Sequence, residues 1–468
     1  MQWKKAHFIG IAGKGMSATA LLLKQQGVEI SGSDEEFYPP VSDYLSAAQI
    51  PFSSGYRKEN IPADVDVIVI GKNAKLVRES NDEVRAAFES GKKIMSFADV
   101  LSEVTERTDN IVVAGSYGKS TCTALLAHCL ISAGKDPGYF IGEVTKGFET
   151  YAHQGNDTMF VLEGDEYPSA NWDTTSKFLR YHARSVLLTS ATHDHINIFK
   201  THEDYLQPFQ QLLTSIPADG LLVVSAEPFA RKLAEHTTAR TVHYALSDPG
   251  AWHATNISYG KTTTFMLMNG AAPVVTISTT LLGAHNVENI IGVGCLLLEK
   301  KLATPEEYAE GIRTFQGVRR RMELLTAHSS IPAYEGFGSS YEKALSAIKA
   351  MKLHFPQNRL IVVFEPHTFS WRNREKIEWY DTVFAGSDEV LIYHPAEQGS
   401  TTHAQLSHDE IINRVRAAGL SVQKVTTPAE TLDALSHTIR DGDVVLILTS
   451  GGMDGLVADI PQWLDRTF

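Results

Sequence analysis

The chain has 468 residues, 43% of them hydrophobic and 21% charged, with 42 Lys plus Arg against 55 Asp plus Glu and a formal net charge of -13. That length suits about three domains, and the composition excludes a chain too polar to bury a core. The acidic balance argues against broad nucleic-acid or anionic-membrane binding, so any phosphate site has to be a local pocket.

No segment is long and apolar enough to span a bilayer, and MQWKKAHFIGIAGKGMS runs directly into a strand-and-glycine pattern in place of a cleavable signal. The expected location is therefore the cytoplasm, with no membrane partner. Cys122, Cys129 and Cys295 lack metal-ligand spacing and read as small buried side chains.

In chain order, AHFIGIAG predicts a strand ending in glycines, MSATALLLKQQG a helix closing on Gly27, VEISGSD a second strand and VDVIVIG an almost wholly apolar third. Continuous apolar strands separated by helices imply a parallel sheet covered on both faces. A polar break at Arg107 to Asn110 sets a first boundary, giving a domain over 1–107. The block 108–325 reopens with strand, loop and helix at VVAGSYGKSTCTALL, then supplies strands at TMFVLE, SVLLTS and GLLVVS, a Thr-rich β stretch and the helix HNVENIIGVGCLLLEKK. Beyond Arg319, Arg320 and Arg321 the block 326–468 carries RLIVVFEP, DEVLIYHP and DVVLILTSGG, three buried-type strands ending where open α/β sheets put ligands. The fold class is α/β, with three blocks that share one architecture.

Chemistry concentrates at the strand ends. Gly10, Gly13 and Gly15 are spaced GxxGxG between the first strand and helix, where a tight turn can bring a diphosphate to the helix N-terminus; a ligand-free packing turn reads equally well. Asp34 ends the second strand, placed to meet a ribose or sugar hydroxyl. GSYGKS has two residues between its glycines, against four in the common phosphate loop, but it has the required strand before and helix after. Its backbone N–H groups and Lys119 suit the outer phosphates of a nucleotide, and Ser120 suits a Mg²⁺ shell. Glu163, followed by Asp165 and Glu166, ends a buried strand beside that loop and offers hard oxygen donors to the same ion. His193, Asp194 and His195 suggest metal or phosphoryl contact, or a hydrated loop. Asn286 and Asn289 share one helix face and suit a nucleotide, with capping the alternative for Asn286.

In this order GIAGKGMSATA, GSDE, GSYGKST, EGDE, THDH, GAHNVEN and RRRME resemble the Mur ligases, ATP-dependent amide-forming enzymes of bacterial peptidoglycan, over essentially the whole chain. YPP at 38–40, GYFIGE at 138–143, DEYPSA, SKF at 176–178 and HINIF are similar to the murein peptide ligase branch. The resemblance implies a UDP-sugar-binding Rossmann-like domain over 1–107, a central phosphate-loop ATPase domain over 108–325 and an acceptor-binding Rossmann-like domain over 326–468, in a cytoplasmic monomer or homodimer that joins UDP-N-acetylmuramate to the recycled tripeptide L-alanyl-γ-D-glutamyl-meso-diaminopimelate through an acyl phosphate, using ATP and Mg²⁺. L-Alanine is the alternative acceptor, and a nucleotide- and UDP-sugar-binding protein without turnover is the alternative from another class.

By the same resemblance Lys119, Glu163, His195 and Arg321 are catalytic, and Ser120, Glu163 and His195 hold metal. The nucleotide meets Gly115, Ser116, Tyr117, Gly118, Lys119, Ser120, Thr121, Asn286, Asn289, Arg321 and Glu335. The substrates meet Gly10, Gly13, Lys14, Gly15, Met16, Asp34 and Asn73, together with His367, Arg372 and Arg374 for a peptide carboxylate. The sequence departs from the family at Ser116 and Tyr117 within the loop, at Thr192 where a Glu is usual, and in YEGFGSSYEK. There Gly336 aligns with an Asp, and Ser339 and Ser340 with two histidines.

Overall fold

A computed structural model describes residues 3–39, 41–143, 145–194, 198–394 and 404–468. It is an α/β protein of three domains built on parallel sheets, and none of its described helices is long and apolar enough to cross a membrane. Its contacts resolve two compact units. One holds the chain up to Asn256 with Phe265–Thr279 and Val287–Gln316; the other holds Ile257–Thr264, Thr280–Asn286 and Gly317–Phe468.

The first unit carries the N-terminal sheet, five parallel strands in the order Phe52–Ser54, Glu29–Asp34, Lys5–Ile9, Val67–Ile70, Lys93–Met95. The run VIVI at 67–70 is buried throughout because helices cover both faces, which is why it shows no polar alternation. Strand order reverses between Lys5–Ile9 and Val67–Ile70, and in an open sheet such a reversal leaves a crevice at the carboxyl ends of the two strands. Gly10 leaves Ile9 with φ +86, a conformation in which a side chain is strained. The helix Lys14–Gln25 then starts on Gly13 without a side-chain cap, so the N–H groups of its first turn face the crevice.

The same unit holds the parallel core of the central sheet. Its strands run Arg240–Tyr244, Leu221–Ser225, Ser185–Leu188, Asp109–Ala114, Met159–Glu163, Gly138–Phe140. Asp109–Ala114 lies between Ser185–Leu188 and Met159–Glu163, so its carboxyl end opens between two neighbours that were reached in opposite directions along the sheet. The three cysteines are buried and free.

The second unit is built on six strands ordered Arg321–Leu324, Ala333–Phe337, Val444–Thr449, Leu360–Phe364, Glu389–Tyr393, Val422–Val425, parallel except for the first. Valine, isoleucine and leucine fill the three central strands, each buried at every position apart from the entry residues.

Candidate active site

The strand Asp109–Ala114 delivers the chain into Gly115 at φ +140, and Gly118 at φ +83 turns it into the helix Lys119–Ser132, which again begins without a side-chain cap. Neither glycine is replaceable by geometry. A Cβ on Gly115 would stand 2.2 Å from Thr189 Oγ1 and 2.9 Å from the Ser190 backbone, and one on Gly118 would stand 2.7 Å from Asn289 Oδ1. The loop is braced from the neighbouring strand end. Thr189 Oγ1 donates to the Tyr117 carbonyl at 2.5 Å, and the Tyr117 N–H donates to Ser190 Oγ at 3.1 Å. Ser116 donates to the Thr192 carbonyl at 2.5 Å and accepts from the Tyr205 hydroxyl at 3.0 Å. The two residues that depart from the family loop thus have local roles: Ser116 is buried in this network, while Tyr117 projects to solvent.

Lys119 curls over the loop, donating to the Gly115 carbonyl at 2.6 Å and pairing at 3.0 Å with Glu166, a carboxylate with no exposed surface. Burial opposes its charge, but the carboxylates of Glu166, Asp165 and Glu163 outweigh that, and the ammonium is held above its ordinary value. At the next residue, Ser120 Oγ donates to Glu163 Oε1 at 2.7 Å, and the Gly142 N–H donates to Glu163 Oε2 at 2.7 Å. Burial pushes the Glu163 carboxyl up from its usual range against these two bonds. Thr121 completes the first helical turn.

The donor chemistry of this corner fits a hard divalent cation. Two oxygen donors, Ser120 and an incompletely neutralised Glu163, stand together at a helix start where phosphates and water would complete the shell. Among the described residues no group of three or more His, Cys, Asp or Glu side chains forms a metal cage. His195 lies outside the described residues. His193 is held by the Phe199 carbonyl at 3.0 Å from Nε2 and stacks on His202. At Thr192 the side chain meets Glu227, whose carboxylate also takes the N–H groups of Ala191 and Ala230.

Glu163→Gln keeps the side chain's shape and its acceptor for Gly142 while removing the charge. Mg²⁺-dependent phosphate release is expected to fall on the order of 100-fold, with the melting temperature unchanged or higher because a buried carboxylate has been removed. A variant with full turnover at ordinary Mg²⁺ would remove Glu163 from the metal site.

The remaining sequence-predicted residues are distributed as follows. Asn289 packs against Gly118 from the helix Ala284–Glu299. Asn286 is buried, and its amide donates to the Leu282 carbonyl at 2.8 Å. In the N-terminal sheet, Asp34 accepts the Ala12 N–H at 2.9 Å and the Tyr56 hydroxyl at 2.7 Å, so its carboxylate braces the glycine loop. Lys14 pairs with Glu143 at 2.8 Å, Gly15 has Phe97 where a Cβ would need 3.1 Å, and Met16 is buried. Asn73 Oδ1 accepts the Lys75 N–H at 3.0 Å, and its carbonyl accepts from Asn171.

In the second unit Arg320 pairs with the buried Glu335 at 2.8 Å and donates to the Gly451 carbonyl at 3.0 Å, and both Arg320 and Arg321 stand over the Phe337 ring. Burial pushes the Glu335 carboxyl up despite the pull of Arg320. Position 336 faces the packed side of the sheet: a Cβ there would lie 2.8 Å from Leu448 and 3.3 Å from Ala347. A carboxylate at 336 would therefore be buried among apolar atoms. Ser340 caps the helix Tyr341–His354 at Lys343. His367 lies 3.3 Å from Glu365, Arg374 pairs at 2.6 Å with Glu410, and Arg372 is fully buried against Gln405 and the Thr368 carbonyl. Arg372 thus braces its loop from beneath.

Sequence reasoning did not identify Tyr205 or Ser190 as loop supports, because neither carries a local motif, and it gave Glu166 no specific partner although EGDE signalled an acidic strand end. Two family models match the chain: "Mur ligase family, catalytic domain" over residues 5–108 and "Mur ligase middle domain" over 113–297. The UDP-N-acetylmuramate–L-alanine ligase of Geobacter sulfurreducens is 30% identical over 457 residues, covering 96% of this chain and 95% of that protein. The UDP-N-acetylmuramate–L-alanyl-gamma-D-glutamyl-meso-2,6-diaminoheptandioate ligase of Escherichia coli is 27% identical over 456 residues, covering 97% and 96%. The crystal structure of the UDP-N-acetylmuramate-alanine ligase of Thermotoga maritima superimposes with a TM-score of 0.79 at 21% identity, covering 99% of this chain and 100% of that one.

Proposed function

The chain belongs to the Mur ligase family, and on that premise we propose that it couples UDP-N-acetylmuramate to the amine of L-alanyl-γ-D-glutamyl-meso-diaminopimelate in peptidoglycan recycling. As a member it is an ATP-dependent, ADP-forming amide ligase of peptidoglycan synthesis. The observation that carries the reading is the phosphate loop itself, with Lys119 on Glu166 and Ser120 on Glu163 at one helix start.

The chemistry follows from the weakness of a carboxylate as an electrophile. An oxygen of the muramoyl carboxylate attacks the γ-phosphorus of ATP, the bond to the β-phosphate oxygen breaks, and ADP leaves. The peptide amine then adds to the carbonyl of the acyl phosphate, loses a proton and expels inorganic phosphate. Lys119 and the N–H groups of Gly118 to Ser120, at a helix start without a side-chain cap, neutralise charge on the transferring group, which is most of what a phosphoryl-transfer protein has to supply. Ser120 and Glu163 would hold Mg²⁺, which when bound offsets the negative charge of the phosphates. Holding acid, phosphoryl group and amine in order is worth roughly 7 to 11 kcal/mol against the same reaction among free molecules. The uncapped helix at Lys14, opening on the N-terminal crevice, suits the diphosphate of the UDP-sugar. The half-buried His367 and the exposed Arg374, the latter paired with Glu410, are the polar groups suited to a peptide carboxylate.

L-Alanine is the second reading, favoured by the 30% identity to a ligase named for that acceptor. The test is acceptor-dependent phosphate release from ATP and UDP-N-acetylmuramate. The tripeptide is expected to drive release at micromolar to millimolar concentration, with L-alanine ineffective. Release with L-alanine alone would replace the first reading by the second.

A further inference from the structure

Lys72 belongs to no motif of the phosphate loop or the glycine turn. It follows Val67–Ile70 and Gly71, directly across the strand-order reversal from Lys5–Ile9, with Ile70 paired to Ile9. The glycine turn and Lys72 therefore leave adjacent strand ends into one crevice. The Lys72 ammonium stands 5.6 Å from the centre of the Tyr167 ring. Lys177 stands 5.6 Å from the same ring and 5.4 Å from that of Phe97.

The local charge does not balance. Lys177 is paired with Asp165 at 2.5 Å, and Asp165 also accepts the Tyr167 N–H at 2.9 Å. The next carboxylates along the same strand end are engaged elsewhere, Glu163 with Ser120 and Gly142, Glu166 with Lys119. Among the described residues Lys72 has only the Tyr167 ring as a partner of its own, so two ammonium groups share one carboxylate. Burial, and after it repulsion from Lys177, holds Lys72 below its ordinary value against the weaker pull of Asp165, as expected of a half-buried cation that shares its counter-ion.

We propose that Lys72 and Lys177, gathered at the Tyr167 ring, form the subsite that holds the carboxylate of the acid substrate beside the phosphate loop. The proposal rests on the reading of the substrate given above. The other anions of the reaction already have receivers: the uncapped helix at Lys14 for the diphosphate, Lys119 for the outer phosphates of ATP. At the Tyr167 ring itself two ammonium groups face one carboxylate, an excess of the single charge that a further carboxylate carries. Asp165 and Tyr167 lie two and four residues beyond Glu163, so an anion at this ring is within the same strand-end cluster as the metal-binding corner. A carboxylate attacking a phosphoryl group brings two anions together, and an ammonium at the approach lowers that repulsion while fixing the attacking oxygen. Lys72 is thereby a substrate-positioning residue.

The test uses the full chain and two UDP-sugars, UDP-N-acetylmuramate and UDP-N-acetylglucosamine, which lacks the lactyl acid. In calorimetric titrations Lys72→Met is expected to weaken the first by roughly 10- to 100-fold and to leave the second within about twofold. The KM for UDP-N-acetylmuramate should rise while that for ATP and the melting temperature hold, and Lys72→Arg should recover much of the loss. Equal weakening of both sugars, or none, overturns the subsite. Wild-type protein that gives no ADP with UDP-N-acetylmuramate and any acceptor would instead overturn the substrate reading and the subsite with it. Normal turnover with an unaltered preference in Lys72→Met removes the subsite alone.

Discussion

Lys119→Ala is expected to lower ATP-dependent phosphate release by about 1000-fold and, separately, to destabilise the first unit by about 3 kcal/mol. The two effects have different origins. Activity falls because, on the proposed reading, the ammonium that would meet the outer phosphates is gone. Stability falls because Glu166, 0% exposed, keeps its charge and loses the ammonium partner at 3.0 Å. The double variant Lys119→Ala/Glu166→Gln separates them: denaturation should return close to the wild-type midpoint, since no buried charge is orphaned, while turnover stays lost. Full turnover in Lys119→Ala would place the nucleotide elsewhere, and an unchanged midpoint would mean that Glu166 is not charged in the fold.

Gly115→Ala should be as damaging by a purely steric route. At φ +140 an alanine is strained, and its methyl would fall 2.2 Å from Thr189 Oγ1 and 2.9 Å from both the N and O of Ser190. Thr189 can turn; the Ser190 backbone belongs to the strand end and cannot. A cost of about 3 kcal/mol, with loss of ATP binding, is expected from urea denaturation and nucleotide titration. Gly27→Ala is the control: its φ is +84 but nothing lies within 4 Å of the new methyl, so about 1 kcal/mol and no change in ATP binding should result. Equal costs at the two positions would show that backbone conformation alone matters, and that the close approach at Gly115 does not shape the loop.

The sequence by itself determined the α/β class and the regular elements that carry the chemistry. Apolar runs such as VIVI, MFVLE and VVLILT can be satisfied only inside a sheet covered on both faces, and a glycine followed by a lysine between strand and helix leaves little but a phosphate loop. It also placed Lys119, Ser120 and Glu163 at strand or helix ends, because those positions are properties of the local pattern.

Partnership was decided by tertiary structure alone. EGDE names three carboxylates without saying that Glu163 meets Ser120 while Glu166 meets Lys119. Arg372 is carried over as a group for a peptide carboxylate, and only the fold shows it buried against Gln405; Asp34 ends its strand placed for a sugar hydroxyl, and only the fold shows its oxygens accepting from Ala12 and Tyr56. Gly336 looks like the loss of an acid, although Leu448 and Ala347 make its side-chain direction apolar. Lys72 and Lys177 are 105 positions apart in the chain and share one ring only once two strand ends are brought to the same crevice. Local pattern fixes where a chain bends and which face it hides, whereas the pairing of charges depends on which distant strand ends become neighbours, and no short stretch of residues encodes that.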